Sequence, residues 1–358
     1  MGTGMDTWLA IAAFFVVIGP LIFVHELGHF LVARWNKIKV EEFGIGYPPR
    51  MLTLFEHNGT KYTLNWLPLG GFMRPAGEDD PSIPDGLAAA PKMARLAVLA
   101  AGPGANVLAA FVLLIVMFML GAPERLPGAR IAVVEPDSPA ASSGLMPNDV
   151  ILHVGDTPVE RSDDLTNYIY SHIGETFTMT VQRGTTTLEL IITPRTSWPE
   201  GQGPTGIQIQ AVYEVRRYGF FPAIGRALRE IGYILKTIVQ LPAMVIEQQI
   251  PARYLRPVSI VGISQLGGQE LAASIEQNAA WPIVRLTASI SLALAITNLL
   301  PIPALDGGRI LFVLIEAIRR KRLDPQREMV VHFVGFVILI ATMFLLIYLD
   351  IVDPLIKP

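Results

Sequence analysis

Long apolar stretches alternate with polar segments along the chain, and four of these stretches are long enough to form helices that cross a bilayer. A spanning helix needs about 20 apolar residues, each of which adds about 1.5 Å to its length. The four stretches are Thr7–Val24, Leu96–Pro123, Leu286–Leu305 and Met329–Leu349. The first lacks the basic start and the small-residue cleavage site of a signal peptide, so we expect it to be retained as a membrane helix.

The composition agrees with a membrane protein that carries a water-soluble insert. Hydrophobic residues make up 51% of the 358-residue chain and charged residues only 16%, whereas soluble domains carry about 25% charged residues. A net charge of −3 provides no basic surface for nucleic acid, so we expect no nucleic-acid partner. The absence of cysteine excludes disulfide bonds, thiol catalysis and thiolate metal sites.

Basic residues are concentrated in two of the loops between the apolar stretches. Loops of this kind lie in the cytoplasm, because lysine and arginine are enriched on that side of a membrane protein. The basic residues are Arg34, Lys37, Lys39, Arg50, Lys61, Arg74, Lys92 and Arg95 in the first loop, and Arg319, Arg320, Lys321, Arg322 and Arg327 in the second. Both termini and the long segment between the second and third stretches are therefore predicted to lie outside.

The long outer segment divides into a soluble domain and a less regular region. Residues 129–194 alternate apolar and polar positions in short runs separated by turn residues, which predicts a small α+β domain. Residues 195–218 have the character of a linker. Residues 220–249 are apolar but carry charges at helical spacing, which favours a helix lying on the membrane surface over one that crosses it.

The strongest chemical signal is a His-Glu-x-x-His motif at the end of the first apolar stretch, formed by His25, Glu26 and His29. Residues i and i+4 of a helix share a face, so the two imidazoles converge on one ion, while Glu26 lies about 100° around the helix. This is the zincin arrangement, in which two histidines bind zinc and the glutamate is the general base. Such polar residues at the end of an apolar run are costly unless they have a function.

Zinc requires a third protein ligand, and Asp306 is the best candidate. It follows two prolines that break the third apolar helix and precedes two glycines that let the backbone turn beside the carboxylate. In the predicted topology the first and third stretches both enter from outside, so His25 and Asp306 reach the same depth near the cytoplasmic side. His332, in the fourth stretch, is interpreted instead as a hydrogen-bonded residue at a helix interface.

Asn106 places a polar amide inside the second apolar stretch, four residues after Gly102. Small residues around it allow close contact between helices. The sequence leaves two roles open for this amide, which are hydrogen bonding between helices and a function beside the metal.

Together, these residues resemble the site-2 protease family of intramembrane zinc metalloproteases, in its bacterial regulator-of-sigma-E protease branch. The resemblance covers the zinc motif, the Asn-x-x-Pro-x-Pro segment that begins at Asn298, the Leu-Asp-Gly segment around Asp306 and the Gly-Pro-x-x-Asn segment that ends at Asn106. Residues 43–46 and 67–72 resemble a cytoplasmic membrane-associated β-region that pairs with extended substrate in this family. Residues 129–194 resemble a PDZ domain, in which a peptide adds as a strand to a sheet edge.

The predicted fold is therefore a polytopic α-helical membrane protein with about four transmembrane helices, a cytoplasmic membrane-associated β-region and one extracytoplasmic PDZ domain of small α+β class. The best-known enterobacterial relatives carry two PDZ domains. The expected layout is transmembrane helix 1 with the zinc motif at 1–34, the β-region at 35–92, transmembrane helix 2 at 93–123, the PDZ domain at 129–194, a linker with an interfacial amphipathic helix at 195–280, transmembrane helix 3 with the aspartate loop at 281–322, and transmembrane helix 4 at 329–350.

The resemblance implies a zinc metalloendopeptidase of the bacterial inner membrane that cleaves transmembrane segments of single-span proteins already trimmed by another protease, such as anti-sigma factors or signal-peptide remnants. The expected partners are this substrate, the lipid bilayer and a peptide tail at the PDZ groove. The expected site residues are Glu26 as general base, His25, His29 and Asp306 as Zn²⁺ ligands, and Asn106, Asn298, Gly70 and Gly71 as contacts to the substrate or its oxyanion.

Two other classes of protein fit parts of the pattern. A membrane-anchored PDZ adaptor with a non-catalytic metal site would make Glu26 dispensable, although its motif is intact. A metal transporter would need several ligand clusters along a path, whereas the sequence shows one compact cluster with a general base.

Overall fold

The computed structural model describes residues 3–199, 201–248 and 251–353. The chain forms two compact units. The helical unit comprises Met1–Leu120 and Tyr218–Pro358, and the insert domain comprises Gly121–Arg217.

Ten α-helices and eight strands are assigned in the described residues. The helices are α1 (Thr3–Ala13), α2 (Gly19–Trp35), α3 (Lys92–Leu120), α4 (Pro139–Ser142), α5 (Ser162–Ser171), α6 (Phe220–Ile246), α7 (Ile260–Glu276), α8 (Trp281–Leu299), α9 (Asp306–Arg319) and α10 (Pro325–Val352). The strands are β1 (Val40–His57), β2 (Thr60–Pro75), β3 (Ala122–Val134), β4 (Val150–Val154), β5 (Thr157–Pro158), β6 (Phe177–Arg183), β7 (Thr186–Ile192) and β8 (Ile207–Arg216).

Four helical segments are long and apolar enough to cross a membrane, and they correspond to the four stretches predicted from the sequence. They are Trp8–Trp35, Lys92–Leu120, Trp281–Leu299 and Pro325–Val352. A π-helical turn at Phe14–Ile18 joins α1 to α2 and makes the first of them continuous. The amphipathic helix α6 is not among these segments.

Helix α7 corrects the prediction for residues 195–280, which provided for a single helix. Ser259 caps α7, because its side chain accepts hydrogen bonds from the backbone N–H groups of Val261 and Gly262. A Cβ at Gly267 would lie 2.7 Å from the Cβ of Ala13, so α7 packs tightly against α1. The close approach of small residues, rather than a strong apolar face, places this helix.

The β-region follows α2 directly. Strands β1 and β2 form an antiparallel pair in which residues 42–45 of β1 pair with 71–74 of β2 on one side and with 61–64 on the other. The pair therefore folds into a wider sheet, and residues 71–74 form one of its outer strands.

A buried carboxylate ties this sheet together. Glu42 is 3% exposed and accepts hydrogen bonds from Arg50 at 3.0 and 2.7 Å, from Arg74 at 2.9 Å and from Thr63 at 2.9 Å. The Arg50 hydrogen bonds hold the pKa of Glu42 below its ordinary value. Because a buried charge is tolerated only when it is paired, these bonds fix the relative positions of β1 and β2.

The insert domain is a small α+β domain, as expected, but it extends beyond the predicted limits of 129–194. Its six-stranded sheet has the order β7-β6-β4-β3-β8, with β5 pairing with β4. The predicted linker at 195–218 contains β8, which pairs antiparallel with the whole length of β3. The alternation of Ile207 and Ile209 with two glutamines is a strand signal, and Ile207 and Ile209 pack against the domain core.

Candidate metal centre

His25 and His29 lie one turn apart on α2, and Asp306 is the first residue of α9. In the structure, Asp306 Oδ2 lies 3.1 Å from His25 Nε2 and 3.4 Å from His29 Nε2, and the two Nε2 atoms are 3.1 Å apart. The side chains of His25, His29 and Asp306 are 11%, 8% and 18% exposed. Among the described residues, this is the one cluster of three histidine or acidic side chains spaced to hold a metal ion.

The orientation of His29 is set by α3. His29 Nδ1 lies 2.7 Å from the backbone carbonyl oxygen of Val98. A carbonyl oxygen can only accept, so the proton of the neutral ring lies on Nδ1 and the lone pair lies on Nε2. This second contact of a histidine ring is the usual way in which a protein orients a metal ligand.

Asn106 on α3 lies beside the ring of His25. Its amide nitrogen Nδ2 lies 3.4 Å from His25 Nδ1, and its Oδ1 is buried without a hydrogen-bond partner. The two ends of an amide are assigned from the hydrogen-bond network, and rotating this one by 180° lets Oδ1 accept the Nδ1–H of His25. Ser291 on α8 donates to the backbone carbonyl of Asn106 at 2.7 Å. This bond holds the backbone of α3 at Asn106 against α8.

The chemistry of the three donors fits a cation. With both Nδ1 atoms protonated, two imidazole lone pairs and a carboxylate oxygen face one another with no proton between them. This arrangement is repulsive unless a positive ion lies at its centre. Two nitrogen ligands and one oxygen ligand match a catalytic zinc site, which has three protein ligands and one open position.

Gly102 on α3 lies directly against the two ligand nitrogens. A Cβ at this position would collide with Nε2 of His29 and would lie 2.7 Å from Nε2 of His25. Only glycine therefore leaves room for the two imidazoles. The sequence shows Gly102 only as part of a motif, because the helical pattern of α3 carries no signal for its contact with the histidines.

Asp306 is presented by an irregular segment. Helix α8 ends at Leu299, residues 300–305 form a turn, and α9 begins at Asp306 itself. A Cβ at Gly307 or at Gly308 would collide with backbone carbonyl oxygens of the preceding turn. The proline-rich turn and the two glycines therefore let the chain reverse sharply and direct the carboxylate toward α2.

Glu26 lies between the metal cluster and the β-region. Its carboxylate is close enough to His29 and Asp306 to interact with both electrostatically, and the backbone of Met73 on β2 lies beside it. A Cβ at Gly71 would come within 3.0 Å of the Glu26 Cβ, so the backbone of β2 passes directly beside this glutamate. The outer strand of the sheet, residues 71–74, is therefore in direct contact with the candidate base Glu26.

Of the remaining predicted residues, Gly70 and Gly71 lie against α2, whereas the hydrogen bond of Asn298 is made within its own helix. Gly70 has a φ of +95°, and a Cβ there would collide with Ile22 on α2. Asn298 donates instead to the carbonyl of Leu294 at 3.0 Å, within its own helix. The described contacts of Asn298 therefore do not join it to the metal cluster.

Comparison with known proteins agrees with this geometry. Residues 13–342 match the model of peptidase family M50. Zinc metalloprotease RasP from Geobacillus kaustophilus is 28% identical over 97% of this chain and 99% of its own length. A zinc metalloprotease homologue from Clostridium perfringens is 33% identical, with 94% of this chain and 96% of its own covered.

The solved PDZ domain of the SdrC-like protein from Listeria innocua is 24% identical and covers 23% of this chain and 93% of its own. The TM-score of this match is 0.21. The assignment of the insert domain therefore depends on the sequence and strands of the present chain. The resemblance to site-2 proteases is confirmed by the family match over most of the chain. The chain belongs to peptidase family M50 and is a zinc metalloprotease.

Proposed function

We propose that this zinc metalloprotease hydrolyses a peptide bond in the transmembrane segment of a single-span protein that has already lost its outer domain. Zn²⁺ is held by His25, His29 and Asp306, and Glu26 is the general base. The convergence of the three ligand atoms carries this proposal, because two of them lie on one apolar helix and the third comes from a distant turn.

The reaction needs a base, a nucleophile and a polarised carbonyl. Bound zinc supplies Lewis acidity, which makes water a nucleophile near neutral pH. Glu26 accepts a proton from the attacking water and returns it to the leaving amine nitrogen. Val98 and Asn106 keep the two imidazoles in the tautomer that leaves their Nε2 atoms free to bind metal.

The substrate must be extended before it can react, since helical carbonyls are occupied by hydrogen bonds to residues one turn ahead. Residues 71–74 form an outer strand of the sheet and pass beside Glu26. A substrate strand that pairs with this segment would bring its scissile carbonyl to the metal cluster. Helix-breaking residues near the cleaved bond should therefore accelerate cleavage.

The membrane arrangement follows from the distribution of basic residues. Both termini and the insert domain lie outside the bacterial inner membrane, and the metal cluster lies near the cytoplasmic side. The insert domain acts as a PDZ domain that admits substrates by size or by an exposed tail. Wild-type selectivity depends on this domain, whereas zinc binding does not.

The decisive experiment compares the wild type with Glu26→Gln in detergent, using a single-span substrate without its outer domain. We expect cleavage to fall by a factor of about 10² to 10⁴ while the zinc content stays the same, because the base is lost and the ligands are intact. Glu276→Gln, at the exposed end of α7, is the matched control and should retain full activity.

Equal cleavage by the wild type and Glu26→Gln would contradict the proposal. A bound zinc without Glu26-dependent cleavage of any trimmed substrate would favour the alternative in which the protein is a membrane-anchored PDZ adaptor. Zinc content and cleavage are therefore measured on the same samples.

A further inference from the structure

The turn that carries Asp306 contains a residue in an unfavourable backbone conformation. Ala304, two residues before the aspartate, has a φ of +76°, which is uncommon for a residue with a Cβ. Its neighbours Pro303 and Leu305 cannot relieve this conformation, because proline fixes its own φ and Leu305 already leads into α9. The turn therefore needs support from outside its own sequence.

That support comes from α10. The backbone N–H of Ala304 donates to Nδ1 of His332 at 3.0 Å. His332 is only 8% exposed, and the ring of Phe312 lies 5.3 Å from it. Since Nδ1 accepts a hydrogen bond, the neutral ring carries its proton on Nε2, which is buried without a described partner.

A second contact joins the same face of α10 to the same turn. Gly335 lies three residues after His332, so both residues face the same neighbour. A Cβ at Gly335 would collide with Pro303 Cβ and would lie 2.8 Å from the Pro303 carbonyl oxygen. The backbone of α10 is thus in direct contact with the turn, and the hydrogen bond of His332 is made within a close-packed interface.

We infer that His332 is a positioning residue for the third zinc ligand. Its ring accepts the Ala304 N–H, holds the turn in its left-handed conformation and so keeps the Asp306 carboxylate directed at His25 and His29. His332 is not part of the group of ligand atoms that converge at His25, His29 and Asp306, so its role is to position the turn. This inference rests on the proposed assignment of Asp306 as a ligand.

The test measures metal binding by the full-length protein in detergent, using zinc competition with a chelator and the visible absorption of the Co²⁺-loaded protein. His332→Leu removes the acceptor at similar volume, whereas His332→Asn can place its Oδ1 where Nδ1 was. We expect zinc affinity to fall about 10- to 100-fold in His332→Leu, with an altered Co²⁺ spectrum. His332→Asn should recover most of both properties.

Two further variants make the result interpretable. Val334→Leu, at an exposed position of α10, should behave as the wild type. Wild-type zinc affinity and Co²⁺ absorption in His332→Leu would overturn the inference, as would an equal loss in His332→Asn, since that would indicate packing of α10 rather than the hydrogen bond. Asp306→Ala separates the two proposals, because unchanged zinc binding in that variant would refute the ligand assignment itself.

Discussion

The metal cluster is built from two regions that are fixed in different ways. On the histidine side, both ligands lie on one continuous helix, and α3 presses against them through Gly102 and the Val98 carbonyl. On the aspartate side, the ligand follows an irregular turn whose support comes from α10 through His332. On the first side, packing leaves no space beside the ligand atoms themselves, whereas on the second side a hydrogen bond supports a strained turn two residues from the ligand.

This difference predicts how substitutions on each side should lower the metal affinity. Close packing between helices tolerates almost no added volume, so a single methyl group on the histidine side should be severe. The turn also packs against Gly335 of α10, but its hydrogen bond to His332 should respond in a graded way to the quality of the acceptor. Variants on the two sides therefore test whether volume or hydrogen bonding determines metal affinity.

The largest effect is expected from Gly102→Ala. The added Cβ would occupy the space of the two ligand nitrogens, so zinc affinity should fall by about 100-fold or more, with cleavage lost in parallel. Gly104→Ala is the matched control, because its Cβ would meet no atom within 4 Å. Chelator competition on both variants would refute the packing argument if Gly102→Ala bound zinc as tightly as Gly104→Ala.

A smaller and different effect is expected from Gly71→Ala. The new methyl group would push β2 away from Glu26 without touching the ligands. Turnover of a trimmed substrate should therefore fall by about tenfold while zinc affinity is unchanged. Parallel losses of zinc and turnover would show instead that β2 supports the metal cluster directly. Gly19→Ala, whose Cβ would meet no atom within 4 Å, is the control on α2.

Removal of the insert domain should affect selectivity and leave the metal cluster intact. Because β8 pairs with β3, the deletion must extend over 121–217, since removal of 129–194 alone would leave an unpaired strand. We expect the shortened protein to bind zinc as the wild type does and to cleave untrimmed substrates within about tenfold of trimmed ones. Loss of zinc on this deletion would contradict the separation of roles.

The smallest effect concerns the pH dependence of the insert domain. Burial favours the neutral form of Asp149, but hydrogen bonds from Arg183 at 2.8 Å outweigh it and lower the pKa of Asp149. A depressed pKa contributes stability above the unfolded value of about 3.9, and this contribution is lost as the pH falls through the folded value. Arg183→Met should lower the unfolding temperature of the domain by a few degrees at pH 7 and less at pH 3. An equal decrease at both pH values would exclude the ion pair as the cause.

The sequence predicted the parts of the molecule that depend on local pattern. Apolar length identified the four spanning segments, and helical spacing placed His25 and His29 on one face. The position of Asp306 followed from its turn residues together with the charge distribution of the loops. Each of these signals lies within a short window of the chain.

Features that depend on contacts between distant segments were missed or left open. The predicted linker contains β8, whose alternating isoleucines are a recognisable strand signal. The prediction for residues 195–280 included one helix and did not include α7. The role of Asn106 stayed open because an amide in an apolar helix does not reveal its partner. Expected contacts of Asn298 with the substrate remain a prediction. His332 was correctly interpreted as a hydrogen-bonded interface residue, but only the structure identifies Ala304 as its donor.

The order of the ligands along the chain has a consequence for the biosynthesis of this protease. His25 and His29 belong to the first apolar helix, whereas Asp306 and the supporting His332 are translated much later. A nascent chain that has inserted only its early helices holds two imidazoles without their carboxylate partner. With Asp306 as the proposed third ligand, we expect a chain that has not yet inserted α9 and α10 to bind zinc weakly and to lack proteolytic activity.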